Sequence, residues 1–245
     1  MISRFGGGLE LSVVTGIVGR VLSAVLDLVI PPACAGCGAK GARCCAGCLA
    51  ALAGAPARRL PRPLPAGLPD CWSAGSYDGA ARRAIVAYKE RGAVGLAVVL
   101  AEVVAFTAIT AIAHTEVLRG GFAVVPVPSG RRARRARGHD PVGRLAWLVA
   151  RRLRAAGLPA VPWAGLSQAR RVADQAGLSS AERGGNLAGS LCVRGAAKGP
   201  PARSALLVDD IVTTGATLAE AARALRSAGV ATPLAVTVAA TRRRS

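Results

Sequence analysis

The stretch that decides the fold lies near the carboxyl end of the chain and reads Ala205-Leu-Leu-Val-Asp209-Asp210-Ile-Val-Thr213-Thr214-Gly215-Ala216-Thr217-Leu218. Its apolar beginning is typical of a buried β-strand. Two adjacent carboxylates follow, and a turn of threonine and glycine then opens a helix that ends at Gly229. The stretch therefore predicts a strand, a loop and a helix that belong to an α/β sheet.

The loop of this unit has the chemistry of a site for a phosphorylated sugar. Backbone N–H groups at a helix N-terminus attract anions, and threonine hydroxyls add donors for a phosphate. Carboxylates beside a phosphate would repel it unless they face the hydroxyls of a sugar. The pattern therefore indicates recognition of a ribose 5-phosphate. The alternative, a threonine-capped helix with two solvated aspartates, leaves the placement of the carboxylates unexplained.

Short β-branched runs alternate with Ala/Leu/Arg-rich helical stretches over the second half of the chain. Strands are predicted at 123–127, 205–208 and 234–238, and helices at 141–156 and 217–228. Such alternation predicts an α/β fold with a mostly parallel sheet covered on both faces.

The chain of 245 residues has a formal net charge of +19, and 29 of its 32 basic residues are arginine. A bias toward arginine and alanine is typical of a GC-rich genome, so the charge receives reduced weight. The positive electrostatic potential of such a chain still attracts anions such as nucleic acid or phosphorylated small molecules. Aromatic residues make up only 3%, which argues against a base-stacking surface.

The amino-terminal part contains two apolar stretches. Residues 9–30 include Glu10, Arg20 and Asp27, which favours an amphipathic helix that ends at Pro31-Pro32. Residues 93–113 carry one charge, Glu102, and are interpreted as a buried core helix rather than a membrane span. No secretory signal is evident, and we expect a cytoplasmic protein without a membrane span.

Two C-x-x-C pairs follow the first stretch, Cys34-Ala-Gly-Cys37 and Cys45-Ala-Gly-Cys48. Four thiolates at this spacing are typical of a structural zinc module, since the metal replaces a core that so short a segment lacks. Cys44 is an alternative to Cys45, but only Cys45 completes a C-x-x-C pair. Disulfides are disfavoured in a reducing cytoplasm.

We predict three regions from these features. Residues 1–52 form the helix and zinc module, residues 53–69 are a Pro/Arg-rich extended linker, and residues 70–245 form the α/β domain.

The chain resembles a known family. The stretch from Asp209 to Thr217 is similar to the phosphoribosyl pyrophosphate (PRPP) loop of type I phosphoribosyltransferases. With the zinc module, the whole chain resembles the ComF family of competence-associated, phosphoribosyltransferase-like proteins. Further matches are Tyr77, Lys89-Glu90-Arg91-Gly92, Val125-Pro126-Val127-Pro128, Arg137-Gly138, Arg171, Gln175, Leu178, Arg183 and Asn186.

This resemblance implies a type I phosphoribosyltransferase-like fold and a set of site residues. Asp209 and Asp210 would bind the ribose hydroxyls, and Thr213 to Thr217 the 5′-phosphate. Pro128 and Ser129 would lie at the pyrophosphate, with Mg²⁺ bridging pyrophosphate and ribose. A mobile segment from Gln168 to Gly189 would bring four further side chains to the ligand. These are Arg171, Gln175, Arg183 and Asn186.

The chain departs from the family pattern at two places. His139-Asp140 stands where an aromatic residue and Asn are usual, and Val172 stands where Thr is usual three residues before the glutamine. The first change affects the residues beside the predicted cleft, and the second removes a hydroxyl from the mobile segment.

Two hypotheses for function remain from the sequence. The first is a phosphoribosyltransferase that acts on PRPP and a base or amine, whose catalytic residues and acceptor the sequence does not specify. The second is a binding protein of DNA uptake that contacts single-stranded DNA, a helicase or other competence machinery. Nine arginines and one acid, Asp140, between 131 and 154 favour the second hypothesis, whereas the intact Asp-Asp loop favours the first.

Overall fold

The computed structural model describes residues 32–118, 120–130, 135, 137–169, 189–194 and 199–241. The predicted helix at 9–30 lies outside the described residues. So do Arg131, Arg132 and Arg134, and the four side chains of the predicted mobile segment, Arg171, Gln175, Arg183 and Asn186.

The described residues form an ordered succession of helices and strands. In chain order they are α1 (Ala46–Ala53), β1 (Ala57–Arg58), β2 (Asp70–Ser76), α2 (Gly79–Glu90), α3 (Leu96–Thr115), β3 (Phe122–Pro126), α4 (Pro141–Ala155), β4 (Ala160–Pro162), β5 (Leu166–Gln168), β6 (Leu191–Val193), β7 (Ser204–Val212), α5 (Ala216–Ser227) and β8 (Ala231–Ala240). The predicted strands and helices of the α/β domain are thus confirmed.

The central sheet has six strands in the order β1-β2-β8-β7-β3-β4. All neighbours are parallel except β1, which pairs antiparallel with β2 at the edge. β7 lies in the interior of the sheet between β8 and β3, so the strand that carries the Asp pair is hydrogen-bonded on both sides. The fold class predicted from the sequence is confirmed.

Helices cover both faces of this sheet. Leu206 and Val208 of β7 point into a cluster that contains residues of α2, α3 and α4. Ala205 and Leu207 point the other way, into a cluster with α5 and the β5–β6 hairpin. Because successive side chains of a strand alternate between faces, the apolar run of β7 is buried on both sides.

The helix α3 lies in the core, in line with the interpretation of the apolar stretch at 93–113. Half of its 20 residues are buried, among them Leu100, Val104 and Ala108. In the described part of the chain, this is the one helix long and apolar enough to cross a membrane by length and composition, and 61% of its most apolar window is buried in the fold.

The cysteine-rich module shares the core of the α/β domain. Leu52 of α1 is fully buried in the cluster that contains α2 and α3, and Ala35 and Cys44 pack against the same cluster. Residues 57–58, in the stretch predicted as a linker, form the edge strand β1. The module therefore packs directly against the sheet domain.

Candidate functional site

The loop between β7 and α5 requires a glycine at its last position. Gly215 precedes α5 with a φ of 75°, a conformation that side chains disfavour. A Cβ atom at this position would lie 2.9 Å from Cγ of Pro61 and 3.1 Å from Cδ2 of Leu68. Backbone conformation and crowding by Pro61 and Leu68 therefore both disfavour any residue other than glycine at position 215. The loop is packed tightly against the 61–68 segment.

Donors for an anion surround this turn. The first N–H groups of a helix have no partner within the helix, and they lie here at the positive end of the α5 macrodipole. Thr213, Thr214 and Thr217 are exposed, and Thr214 Oγ1 accepts a weak hydrogen bond from the N–H of Ala216 at 3.4 Å. No acidic residue occupies the first turn of α5. The turn thus offers hydrogen-bond donors to an anion.

The two aspartates lie within β7, just before this turn. Asp209 Oδ1 accepts a hydrogen bond from the N–H of Asp210 at 2.8 Å. Burial, together with the negative charge of Asp210, raises the pKa of Asp209 well above its ordinary value. A hydroxyl donor or a cation from a ligand would relieve the cost of this buried charge.

Lys89 neutralises the second aspartate. Its Nζ atom lies 2.5 Å from Oδ2 of Asp210, whose side chain is only 7% exposed. From the sequence, Lys89 is part of a match to the family but is not predicted to belong to the site. A signal existed: Lys89 is one of three lysines in a chain with 29 arginines, so the overall bias does not account for it.

The carboxyl end of α2 is held in position for this contact. Tyr88 donates its hydroxyl to the carbonyl oxygen of Pro141 at 2.7 Å, and burial raises the pKa of Tyr88 to about 12. Arg137 binds both carboxylate oxygens of Glu90, at 2.6 and 3.0 Å. These bonds to residues on either side of Lys89 fix the end of the helix from which it reaches Asp210.

Replacing Lys89 by methionine tests the importance of this pair. We expect a loss of about 3 kcal/mol in unfolding free energy, because the variant leaves a buried carboxylate without its counter-ion. The double variant Lys89→Met, Asp210→Asn should regain most of that loss, since both charges are then absent. Urea unfolding of both single variants and the double variant measures the coupling, and strictly additive losses would show that the two side chains do not interact.

The loop after β3 lies beside the Asp-bearing strand. The N–H of Val127 donates to the carbonyl oxygen of Val208 at 2.9 Å, so the next residues, Pro128 and Ser129, follow the same edge of the sheet. Both are half-buried. The structure thus places the predicted pyrophosphate residues alongside the end of β7.

The base of the predicted mobile segment is tied to α5. Glu220 accepts a hydrogen bond from the N–H of Leu191 at 3.0 Å, and Arg223 donates to the carbonyl oxygen of Leu191 at 3.1 Å. Burial acts to raise the pKa of Glu220, but the hydrogen bonds from Arg223 and Leu191 outweigh it and lower the pKa overall. Strands β5 and β6 are therefore anchored to α5, the helix that follows the threonine turn.

Three of the six described arginines of the basic block have side-chain partners within the fold. Arg137 pairs with Glu90, and Arg152 pairs with Glu102 at 2.5 Å. Arg151 lies over the ring of Trp147 at 4.9 Å. These contacts occupy three of the arginines that favoured nucleic-acid binding.

The four predicted zinc ligands come together. The sulfur atoms of Cys34, Cys37, Cys45 and Cys48 all lie within 4.8 Å of one another, and those of Cys37 and Cys45 are 3.6 Å apart. Tetrahedral Zn²⁺ with Zn–S bonds of about 2.3 Å places its sulfurs about 3.8 Å apart. The donor set and its spacing therefore fit a zinc ion.

The electrostatics of the cluster also fit a cation. A hydrogen bond from the N–H of Cys45 to Sγ of Cys34, 3.3 Å long, is the main cause that lowers the pKa of Cys34 to about 6. Burial and the neighbouring sulfurs raise the pKa of Cys48 to about 12. The Cys34 thiolate is thus favoured even without a metal ion, whereas four thiolates together need the positive charge of a metal ion.

Cys44 lies outside this group. Its thiol contacts the carbonyl oxygen of Cys45 at 3.9 Å, and the residue packs against the hydrophobic core. Burial is the main cause that raises the pKa of Cys44. Cys45, the residue directly before α1, and not Cys44, is the one whose sulfur lies within 4.8 Å of the other three.

The fold and this loop define an α/β protein with two carboxylates and an exposed threonine turn at the carboxyl end of a central strand, the edge at which such sheets bind ligands. Residues 145–245 match the family model of the phosphoribosyl transferase domain. The match covers about two fifths of the chain, runs from α4 to the carboxyl end and includes both aspartates and the turn. Fold and match agree on a type I phosphoribosyltransferase-like domain. A comparison with curated proteins found no match.

Proposed function

We propose that this chain is a ComF-like member of the phosphoribosyltransferases that binds PRPP with Mg²⁺ at the loop between β7 and α5. One observation carries the proposal: two carboxylates on a central strand directly precede an exposed threonine turn at a helix N-terminus. The family match over the same residues supports it. The N-terminal cluster of four cysteines, with its zinc-like geometry, supports the ComF assignment.

Each part of the loop has a role in this proposal. The N–H groups of the first turn of α5 and the hydroxyls of Thr213, Thr214 and Thr217 bind the 5′-phosphate. Asp209 and Asp210 accept hydrogen bonds from the ribose hydroxyls. The ligand hydroxyls thereby offset the cost of the Asp209 charge, whose pKa the unliganded fold raises.

The same arrangement suits transfer of the phosphoribosyl group. A nitrogen of a base or amine would form a bond to C1 of the ribose while the bond from C1 to pyrophosphate breaks, through an oxocarbenium-like transition state. Bound Mg²⁺ would stabilise negative charge on the leaving pyrophosphate. The loop at Pro128 and Ser129, beside β7, is the place where this chain would hold the pyrophosphate.

Binding of single-stranded DNA or a helicase in DNA uptake is the alternative, and its support is the net charge of +19. The ion pairs of Arg137 and Arg152 reduce the number of free cations in the described part of the basic block. We therefore place phosphoribosyl chemistry first, and the expected cytoplasmic location remains part of this proposal.

Thermal unfolding with PRPP and Mg²⁺ tests the proposal. At a concentration of about 100 times Kd, the ligand should add about 2.7 kcal/mol of stability, a rise of several degrees in Tm for a protein of this size. Ribose 5-phosphate should give a smaller shift, and sodium sulfate at equal ionic strength should give none. A screen for pyrophosphate release against a panel of bases and amines then identifies an acceptor. No shift with PRPP, together with tight binding of an oligonucleotide, would favour the alternative.

A further inference from the structure

The end of α2 that carries Lys89 contacts both parts of the proposed site, the Asp pair of β7 and the loop after β3. The ammonium of Lys89 pairs with Oδ2 of Asp210 at 2.5 Å, yet the lysine side chain is 23% exposed whereas that of Asp210 is 7% exposed. An ammonium has three N–H donors, and the contact with one carboxylate oxygen uses one of them. A ligand that enters from solvent can therefore bind to Nζ of Lys89.

The residues on either side of Lys89 bind to the connection between β3 and α4. Tyr88 donates its hydroxyl to the carbonyl oxygen of Pro141 at 2.7 Å, and Glu90 accepts two hydrogen bonds from Arg137, at 2.6 and 3.0 Å. The first residues of this connection follow the edge of β7 and are the proposed pyrophosphate residues. Lys89 is therefore held beside the place where the pyrophosphate would bind.

The charge of Lys89 acts on both carboxylates of the Asp pair. Burial raises the pKa of Asp209 and the charge of Asp210 adds to this, whereas the charge of Lys89 acts in the opposite direction. Ribose hydroxyls that donate to the two carboxylates would share this role of the ammonium. A pyrophosphate offers only negatively charged acceptors, and it would then compete with Asp210 for the ammonium.

The type of residue at position 89 also favours a contact with a ligand. Because 29 of the 32 basic residues of this chain are arginine, a plain counter-ion for Asp210 is expected to be arginine, which binds a carboxylate by two parallel hydrogen bonds. Lysine instead has a compact charge on a flexible stem with three rotatable donors. Its ammonium can therefore turn from one acceptor to another.

We propose that Lys89 is a ligand of the pyrophosphate: it pairs with Asp210 before PRPP binds and donates to pyrophosphate oxygens afterwards. The inference rests on the proposed function, since it takes PRPP as the ligand. Ribose 5-phosphate has the same ribose and 5′-phosphate but no pyrophosphate, so Lys89 should matter more for the binding of PRPP. Loss of one charge-assisted hydrogen bond lowers affinity about 10- to 100-fold.

Titration calorimetry of the full-length chain with the two ligands, each with Mg²⁺, tests this difference. Lys89→Met should weaken the binding of PRPP about 10- to 100-fold more than the binding of ribose 5-phosphate. Lys89→Arg keeps the positive charge and should recover most of the difference. Lys40→Met removes an exposed lysine of the cysteine-rich module, and this matched control should change neither affinity.

Lysine NMR examines the same contact in the natural sequence, where no substitution can disturb folding. Lysine labelled with ¹³C at Cε gives three signals, from Lys40, Lys89 and Lys198, and the spectrum of Lys89→Arg identifies the signal of Lys89. We expect this signal to shift further with PRPP than with ribose 5-phosphate when each ligand is saturating. The signal of Lys40 should stay in place with both ligands.

The outcomes separate this inference from the proposed function. Equal changes in affinity for the two ligands in Lys89→Met, or a Lys89 signal that both ligands shift alike, would show that Lys89 acts only as the counter-ion of Asp210. Either result would overturn the inference while the proposed function stood. If the natural protein bound neither ligand, the proposed function would be wrong and the inference with it.

Discussion

Asp209→Asn and Asp210→Asn are expected to abolish the PRPP-dependent rise in Tm, yet to shift the stability of the unliganded protein in opposite directions. Each variant removes one carboxylate from the proposed ribose site, so we expect PRPP affinity to fall by a factor of about 100 or more, as for loss of charged hydrogen bonds. The opposite stability effects arise because Lys89 forms an ion pair with Asp210, whereas burial and the charge of Asp210 dominate at Asp209 and raise its pKa.

The direction of the stability change in Asp209→Asn follows from the raised pKa of Asp209. A carboxyl whose pKa is higher in the folded than in the unfolded state contributes stability below its ordinary pKa of 3.8, and that contribution is lost as pH rises through the folded-state value. At pH 7 the Asp209 carboxyl therefore lowers the stability of the unliganded fold relative to an uncharged side chain. Asp209→Asn should be more stable than the natural protein at this pH, and the difference should grow as pH rises from about 4.

Asp210→Asn should destabilise the fold, because Lys89 then keeps a mostly buried ammonium without a carboxylate partner. Urea unfolding at pH 5 and pH 7, with and without PRPP and Mg²⁺, measures the stability and the PRPP-dependent stabilisation of each variant. Zinc content serves as the control and should be unchanged in both variants. If either variant kept the full PRPP-dependent shift, the ribose assignment of that aspartate would be wrong.

The second large effect is a loss of zinc expected in Gly36→Ala. Gly36 and Gly47, the glycines of the two C-x-x-C pairs, look equivalent in the sequence but differ in their surroundings. A Cβ atom at Gly36 would lie 2.5 Å from Sγ and 2.9 Å from Cβ of Cys48, whereas a Cβ at Gly47 would meet nothing within 4 Å. Gly36→Ala must therefore displace a ligand sulfur. We expect it to lose most of the bound zinc, and to lower Tm because Leu52 of the same module packs into the main core.

Gly47→Ala is the matched control. Gly47 lies within α1, where alanine is favoured over glycine by about 1 kcal/mol. This variant should keep its zinc and be as stable as the natural protein or slightly more so. Metal analysis of the purified proteins and thermal unfolding provide the readouts. Equal zinc content in the two variants, or a fold that is indifferent to metal chelation, would contradict a structural zinc site.

Elements with strong local patterns could be predicted from the sequence alone. The predicted helices at 141–156 and 217–228 are observed at Pro141–Ala155 and Ala216–Ser227. The strand predicted at 205–208 is observed as Ser204–Val212. It continues because Asp209, Ile211 and Val212 pair with β8, and the hydrogen bonds of a neighbouring strand leave no trace in local composition.

Local sequence was enough to predict the four-cysteine cluster and the threonine turn, because in both cases residues a few positions apart provide the whole chemical group. Spacing alone carries that information. Spacing favoured Cys45 over Cys44 as the fourth cysteine of the cluster. The folded chain places the Cys45 sulfur with the other three.

Only the tertiary structure brought Lys89 to Asp210, Arg137 to Glu90, and Pro61 and Leu68 against Gly215. These partners are far apart in the chain or belong to elements whose relative placement depends on the packing of α2 and the 61–68 segment around the sheet. A contact between distant residues has no local period or motif. It exists because the packed core fixes where each element ends, and the charge balance of the candidate site follows from that packing.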